Sequence, residues 1–375
     1  MSDQDEARRT TSDTAGEARQ TATRAGREDE FERREGAAPD SPTEVPKPSW
    51  KAVLKRAFAE FSEDKGTDLA AALTYFSVLS LFPMLLALSS LLGVFGQGAS
   101  TTEALLQVVS DLGVADDQLE VIETYVSNMQ GSQGAGLALI AGLLGALWAA
   151  SNYVNAFSRM MNAVYEVEEG RPVWKLRPVM LLVTLVIVLL IALVGLSLVF
   201  TGDVARAVGD VIGLGSTAVT VWNIAKWPVM LAIVILIVAL LYWATPNVQQ
   251  PKFRWISPGA IVAILVWILA SVGFGFYVAN FGNYNATYGA LAGVIIMLIW
   301  LYITNITLVL GAEIDAELER GRELLAGMPA EDTMQIPPRD DRQAQKKAEK
   351  REKLVEEARR IRLQAGQGDR GPSSG

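Results

Sequence analysis

Asn152, Asn155, Arg159 and Asn162 recur at steps of three, four and three inside an otherwise apolar stretch. That spacing puts three amides and a guanidinium on one face of a helix. Such a stripe is costly against hydrocarbon, so it calls for protein or water beside it. A second set lies in AALTYFSVLSLFPMLL, which carries Thr74, Tyr75, Ser77, Ser80 and then Pro83. Its hydroxyls either bond back to carbonyls of their own helix or line a hydrated pocket. Pro83 removes a backbone donor and predicts a kink near Leu79. Asp68 opens that segment, and Glu313 and Asp315 close the last apolar one, with Asn305 two turns deeper than Glu313. Together these residues could form a polar cavity, with Asp68, Arg159 and Glu313 as a charged gate. The alternative for Arg159 is a long side chain reaching the membrane interface.

Other chemistry is limited by what the chain lacks. Its 375 residues include no Cys and no His. Disulfides, thiolate nucleophiles and Cys/His zinc sites are excluded, and so is the commonest general base. Ser77 or Ser80 would need a base such as Lys226, which the expected topology places at the opposite leaflet. No catalytic residue, metal or cofactor is therefore assigned. The net charge of −8 comes from soluble tails and one loop, and no nucleic-acid partner is suggested.

The elements that must position these residues are membrane helices. Half of the chain is hydrophobic, concentrated in runs long enough to cross a bilayer core of roughly 30 Å. The expected fold is all-α, a polytopic bundle of six transmembrane helices at 69–95, 137–164, 179–200, 221–243, 258–280 and 288–312. Residues 1–48 read as a disordered polar tail, and no cleavable signal peptide is expected. Residues 49–66 read as an amphipathic interfacial helix with Trp50, Val53, Leu54, Ala57, Phe58 and Phe61 on one stripe. It either lies on an anionic leaflet or packs beneath the bundle. The transmembrane domain is placed at 67–320. A charged cytoplasmic tail, partly helical or disordered, follows at 321–375; it either contacts anionic lipid headgroups or a partner, or is simply solvated.

The loop from Gly96 to Gln133 holds no Lys or Arg, whereas the loop around Arg171, Lys175 and Arg177 holds three. Both termini are therefore expected in the cytoplasm. Two short amphipathic helices are expected in the first outer loop. Ser257 and Pro258 read as the cap and first residue of the fifth span, with Lys252, Arg254 and Trp255 as interfacial anchors. Gly142 and Gly145, Gly289 and Gly293, and Gly273 and Gly275 mark close helix packing or an oligomer interface.

Three ordered segments then show a resemblance. DLAAALTYFSVLSLFPMLLALSSLLGVFG, TPNVQQPKFRWISPGA and YNATYGALAGVIIMLIWLYITNITLVLGAEIDAELER resemble the first helix, fourth loop and last helix of the YihY/BrkB family of bacterial inner-membrane proteins. The resemblance covers about Trp50 to Arg322. It implies a multi-pass inner-membrane protein with cytoplasmic termini. The family was once labelled ribonuclease BN, a label that a chain without His, Cys or an acidic metal cluster does not support. The expected function is a transporter or lipid/solute translocator with a polar cavity open to the cytoplasm and an unassigned substrate. The alternative is a non-catalytic membrane scaffold or envelope assembly factor.

Overall fold

A computed structural model describes residues 47–95, 135–199, 216–249, 257–280 and 291–368. The polar N-terminal tail before residue 47, the two helices expected in the first outer loop, Lys252, Arg254, Trp255 and Gly289 lie outside these residues. So does the side chain of Pro83, although its backbone belongs to a helix.

Eight helices make up the described fold: α1 Lys47–Glu63, α2 Gly66–Phe95, α3 Ala135–Val164, α4 Val173–Val199, α5 Ser216–Ala244, α6 Pro258–Asn280, α7 Leu291–Leu325 and α8 Arg342–Gly368. No strand occurs among the described residues, only an isolated bridge between Val248 and Pro338. The protein is thus an all-α membrane protein, and α2 to α7 stand where the six apolar runs predict helices. Among the described residues, four stretches are long and apolar enough to cross a membrane: Val173–Gly195, Val219–Ala244, Pro258–Ala279 and Ala292–Leu325. In α2 the apolar stretch covered by described side chains is Gly66–Leu81. α2 and α3 have 30 residues each, about 45 Å of helix.

Local sequence explains the helix ends. The Ala260 N–H donates to the Ser257 hydroxyl at 3.1 Å, the expected cap with Pro258 as first helical residue. Asp315 of α7 completes it by accepting from the Gly259 N–H at 2.7 Å and from the Ser257 hydroxyl. α3 ends at Val164, followed by a turn in which Glu166 has a left-handed φ of 53° and the Val167 N–H turns back to the Asn162 carbonyl. α7 runs 35 residues to Leu325, well past the Ala312 end expected for the last span, and is followed by Gly327 with φ of 75°.

The core gathers Leu73 of α2, Phe157, Met160 and Met161 of α3, Met180 of α4, Tyr242 of α5 and Val309 of α7, all buried. Outward, α4, α5 and α6 present Leu182, Leu189, Ile224, Leu269, Val272 and Phe276, all exposed. A continuous apolar exterior of this kind suits lipid, not water. α1 does not stand apart: Val53 and Ala57 are buried against Ile314 and Leu318 of α7, while Leu54 and Phe58 stay exposed. Packing against α7 thus accounts for half of its apolar stripe.

Candidate functional site

The first-helix hydroxyls are largely satisfied locally. Thr74 donates to the Ala70 carbonyl at 2.8 Å, Ser77 to Leu73 at 2.9 Å and Ser80 to Ser77 at 2.7 Å. Asn155, in α3, does the same, donating to the Ser151 carbonyl at 2.6 Å. Tyr75 is exposed. Asn152 is half-buried and makes no hydrogen bond among the described residues.

Asn305 does join helices. Its amide donates to the Thr74 hydroxyl at 3.1 Å and the Leu301 carbonyl at 3.0 Å, and its oxygen accepts from Tyr153 at 3.0 Å. α2, α3 and α7 are thereby linked through one buried amide. Polar bonds of this sort hold membrane helices together at roughly 1 kcal/mol each.

The three charges expected to form a gate are not brought together. Asp68 is exposed in the first turn of α2. Arg159 is exposed and stacks over the Phe76 ring at 5.6 Å. Glu313 is only 1% exposed, on α7, and one of its carboxylate oxygens has no hydrogen-bond partner. Its charged neighbours are Asp64, Glu317, Glu60 and Arg320. Glu313 faces the α1 side, among Asp64 and Glu60, whereas Arg159 is exposed.

Around Glu313 runs an ion network that the residue spacing did not reveal. Glu317 bridges Arg56 of α1 at 3.0 Å and Arg320 at 2.7 Å. Arg320, 1% exposed, reaches Glu166 at 2.6 Å and the Ala330 carbonyl at 3.3 Å. Glu166 also accepts from the Met334 N–H at 3.2 Å. Asp64, half-buried at the α1–α2 turn, has its pKa pushed up to about 6 by burial and by the negative charges of Glu60, Glu166 and Glu63.

A second polar knot ties the α3–α4 loop to the end of α5. Arg171 donates to Glu169 at 2.6 Å, Ser158 at 3.0 Å and the Thr245 carbonyl at 2.8 Å. Asn247, fully buried, donates to the carbonyls of Glu168 at 3.0 Å and Asp340 at 2.8 Å, while its N–H reaches Asn162 at 2.7 Å. Burial pushes the Glu169 carboxyl up, but Arg171 outweighs this and leaves it below its usual range. Hydrogen bonds from Arg342 hold Asp340 well below the ordinary carboxylate range. The sequence signal for this knot is the TPN turn at Thr245–Asn247, which opens the segment that resembles the family's fourth loop.

The expected packing glycines take different places. Gly142 is buried. A Cβ on Gly145, Gly273, Gly275 or Gly293 would meet no atom within 4 Å. The tight crossing is instead between α6 and α7, where a Cβ on Gly259 would stand 2.1 Å from the Gly311 carbonyl.

Comparison with known proteins agrees with this architecture. The family described as "Virulence factor BrkB" matches residues 57–333. The putative ribonuclease-like protein YfkH of Bacillus subtilis is 33% identical over 273 residues, 72% of this chain and 96% of that protein. A UPF0761 membrane protein of Alkalilimnicola ehrlichii is 30% identical over 68% of this chain and 55% of its own length. Another, from Alteromonas mediterranea, is 28% identical over 68% of this chain and 84% of its own length. No solved structure matches the chain. A match over most of the chain, on a fold of long apolar helices, shows that the chain belongs to the BrkB virulence-factor family of multi-pass membrane proteins.

Proposed function

We propose that the chain is a non-catalytic translocator of the bacterial inner membrane, with both termini in the cytoplasm and its polar cavity at the α1 end. The orientation rests on the basic residues at that end, Lys51, Lys55, Arg56, Arg171, Lys175 and Arg177. The translocator reading rests on Glu313, a buried carboxylate on a membrane helix with one oxygen unpartnered. Ionisable groups in such positions mark substrate or ion pathways. The ribonuclease-like name belongs to the Bacillus subtilis relative; here the absence of His and Cys favours a non-catalytic role.

Because the chain has no native Cys, single cysteines at Ser77, Asn152, Asn155 and Asn305 have no background. In native membranes, a membrane-impermeant thiol reagent is expected to reach at least Asn155 or Asn305 from the cytoplasmic side. Glu313→Gln is expected to change that labelling rate. If every position stays unlabelled in both backgrounds, the bundle is dry and the translocator reading fails.

The scaffold reading is favoured by one observation, the exposed Leu354, Val355, Ile361 and Leu363 of α8. Deleting α8 separates the two readings. A scaffold loses its function in cells, whereas a translocator keeps most of it.

A further inference from the structure

Arg159 and Arg177 form a pair of cations without an anion. Arg159 lies over the Phe76 ring at 5.6 Å and Arg177 over the Trp148 ring at 5.5 Å. Arg177 lies over Trp148, on the face of α3 that also carries Arg159, and is the cation that bears electrostatically on Arg159. Neither makes an ion pair with a described residue, and the Arg177 Nη1 atom is buried with no hydrogen-bond partner. Other arginines at this end are satisfied: Arg56 pairs with Glu317, Arg171 with Glu169, Arg320 with Glu166 and Arg342 with Asp340, while Arg339 bonds to the Val248 and Trp243 carbonyls. Two like charges left together repel, and a negative group beside them relieves that repulsion.

The surroundings specify the kind of anion. Trp148, Asn152 and Arg159 are four and seven residues apart in α3, which stacks them on one face. Asn152 makes no hydrogen bond among the described residues, and Trp148 is 56% exposed. An aromatic ring lies against each guanidinium and narrows the directions in which its planar fork can point. Such forks match the paired oxygens of a phosphate better than a single point charge would. Exposure on the outer side of apolar membrane helices turns the site toward lipid.

We propose that Arg159, Arg177 and Asn152 form a binding site for a phosphate group, supplied by the headgroup of an anionic phospholipid in the surrounding leaflet. Trp148 and Phe76 position the two guanidiniums. The site stands independently of whether the chain translocates anything.

The test is native mass spectrometry of the purified full chain, titrated with phosphatidylglycerol or with phosphatidylcholine. Wild type is expected to retain phosphatidylglycerol preferentially. Arg159→Gln with Arg177→Gln is expected to weaken that retention on the order of tenfold, from the loss of two basic contacts. Arg159→Lys with Arg177→Lys is expected to fall between, since charge stays and the fork is lost. Lys346→Gln with Lys350→Gln on exposed α8 removes the same charge elsewhere and is expected to change nothing. Should the double Arg variant fail to fold, Arg159→Gln alone, at an exposed position, gives the reading. Inorganic phosphate added at constant ionic strength distinguishes the sources. No displacement of lipid supports a headgroup site, and full displacement overturns it in favour of a soluble phosphate compound. Equal retention of both lipids, or equal losses in the Arg and Lys variants, overturns the site altogether.

Discussion

Asn247 shows how much one buried side chain can hold at this end of the molecule. Its amide satisfies the carbonyls of Glu168 and Asp340, and its oxygen accepts the Asp340 N–H at 3.2 Å. Asn247→Ala leaves those peptide groups buried without partners, and is expected to cost about 2–3 kcal/mol, read as a lower unfolding temperature of the purified protein. A loss no larger than that of an exposed substitution such as Gln345→Ala would contradict the knot. Asp64 makes a prediction of a different kind. Its pKa is raised from 3.8 to about 6, so the folded chain keeps a proton that the unfolded chain has released. Stability from this group is present in full below about pH 4 and is lost as pH rises through about 6. After discounting for its half-exposed position, the loss is roughly 1 kcal/mol. Glu169 acts with the opposite sign: its lowered pKa gives stability at neutral pH that is lost as acid protonates it. Asp64→Asn is expected to flatten the decline between about pH 4 and 6 while leaving the acid limb intact, and an unchanged profile would remove Asp64 as its source.

At the scale of elements, the α6–α7 crossing is the place where backbone meets backbone. A Cβ on Gly311 would stand 2.5 Å from the Tyr242 hydroxyl and 2.6 Å from the Ala263 Cβ, and one on Gly259 would collide with the Gly311 carbonyl. Gly259→Ala must therefore push the helices apart, at an expected cost of about 1–3 kcal/mol or more. Gly293→Ala meets nothing and is expected to be neutral or to stabilise α7 by up to about 1 kcal/mol. Thermal unfolding of the two variants side by side checks the contrast, and a Gly293→Ala penalty as large as that of Gly259→Ala would point to an interface with a second copy. The helices themselves were legible in the sequence because a bilayer demands long apolar runs. The crossing was not, because Gly259 and Gly311 lie on different helices and share no spacing, whereas Gly289 and Gly293 display a pattern that says nothing about which face is covered. The gate fails to assemble for the same reason. Depth along a helix can be counted from the sequence, which is why Asp68, Arg159 and Glu313 read as one charged gate. Their rotation about the helix axes depends on packing, and it sends Arg159 outward and Glu313 toward α1.

Across the whole molecule, the segment after α7 acts as a strap. Composition marks everything beyond residue 320 as a charged tail, yet Met328, Ala330 and Ile336 are buried. The strap crosses the α1 end from the Arg320–Glu166 pair to the α3–α4 loop. Arg339 reaches the carbonyls of Val248 and Trp243 at 2.7 Å each, and Asp340 pairs with Lys175 at 3.5 Å. At Gly170 the crossing is so close that a Cβ would meet the Asp340 carbonyl at 1.9 Å. Few apolar residues in a polar stretch give no periodic signal, so this docking could not be read from the sequence. α8, which follows, has its apolar side chains Leu354, Val355, Ile361 and Leu363 exposed. Two truncations should therefore behave differently. A chain ending after Gln345 keeps the strap and is expected to unfold at the temperature of the full chain. A chain ending after Gly327 loses the buried Ile336, the Asp340 partner of Asn247 and the Arg339 bonds, at an expected cost of about 3–5 kcal/mol. It should also open the loop around Gly170 to hydrogen exchange. If both truncations leave unfolding and exchange unchanged, the strap does not hold the α1 end together, and the stability of that end must come from the Arg56–Glu317–Arg320 network.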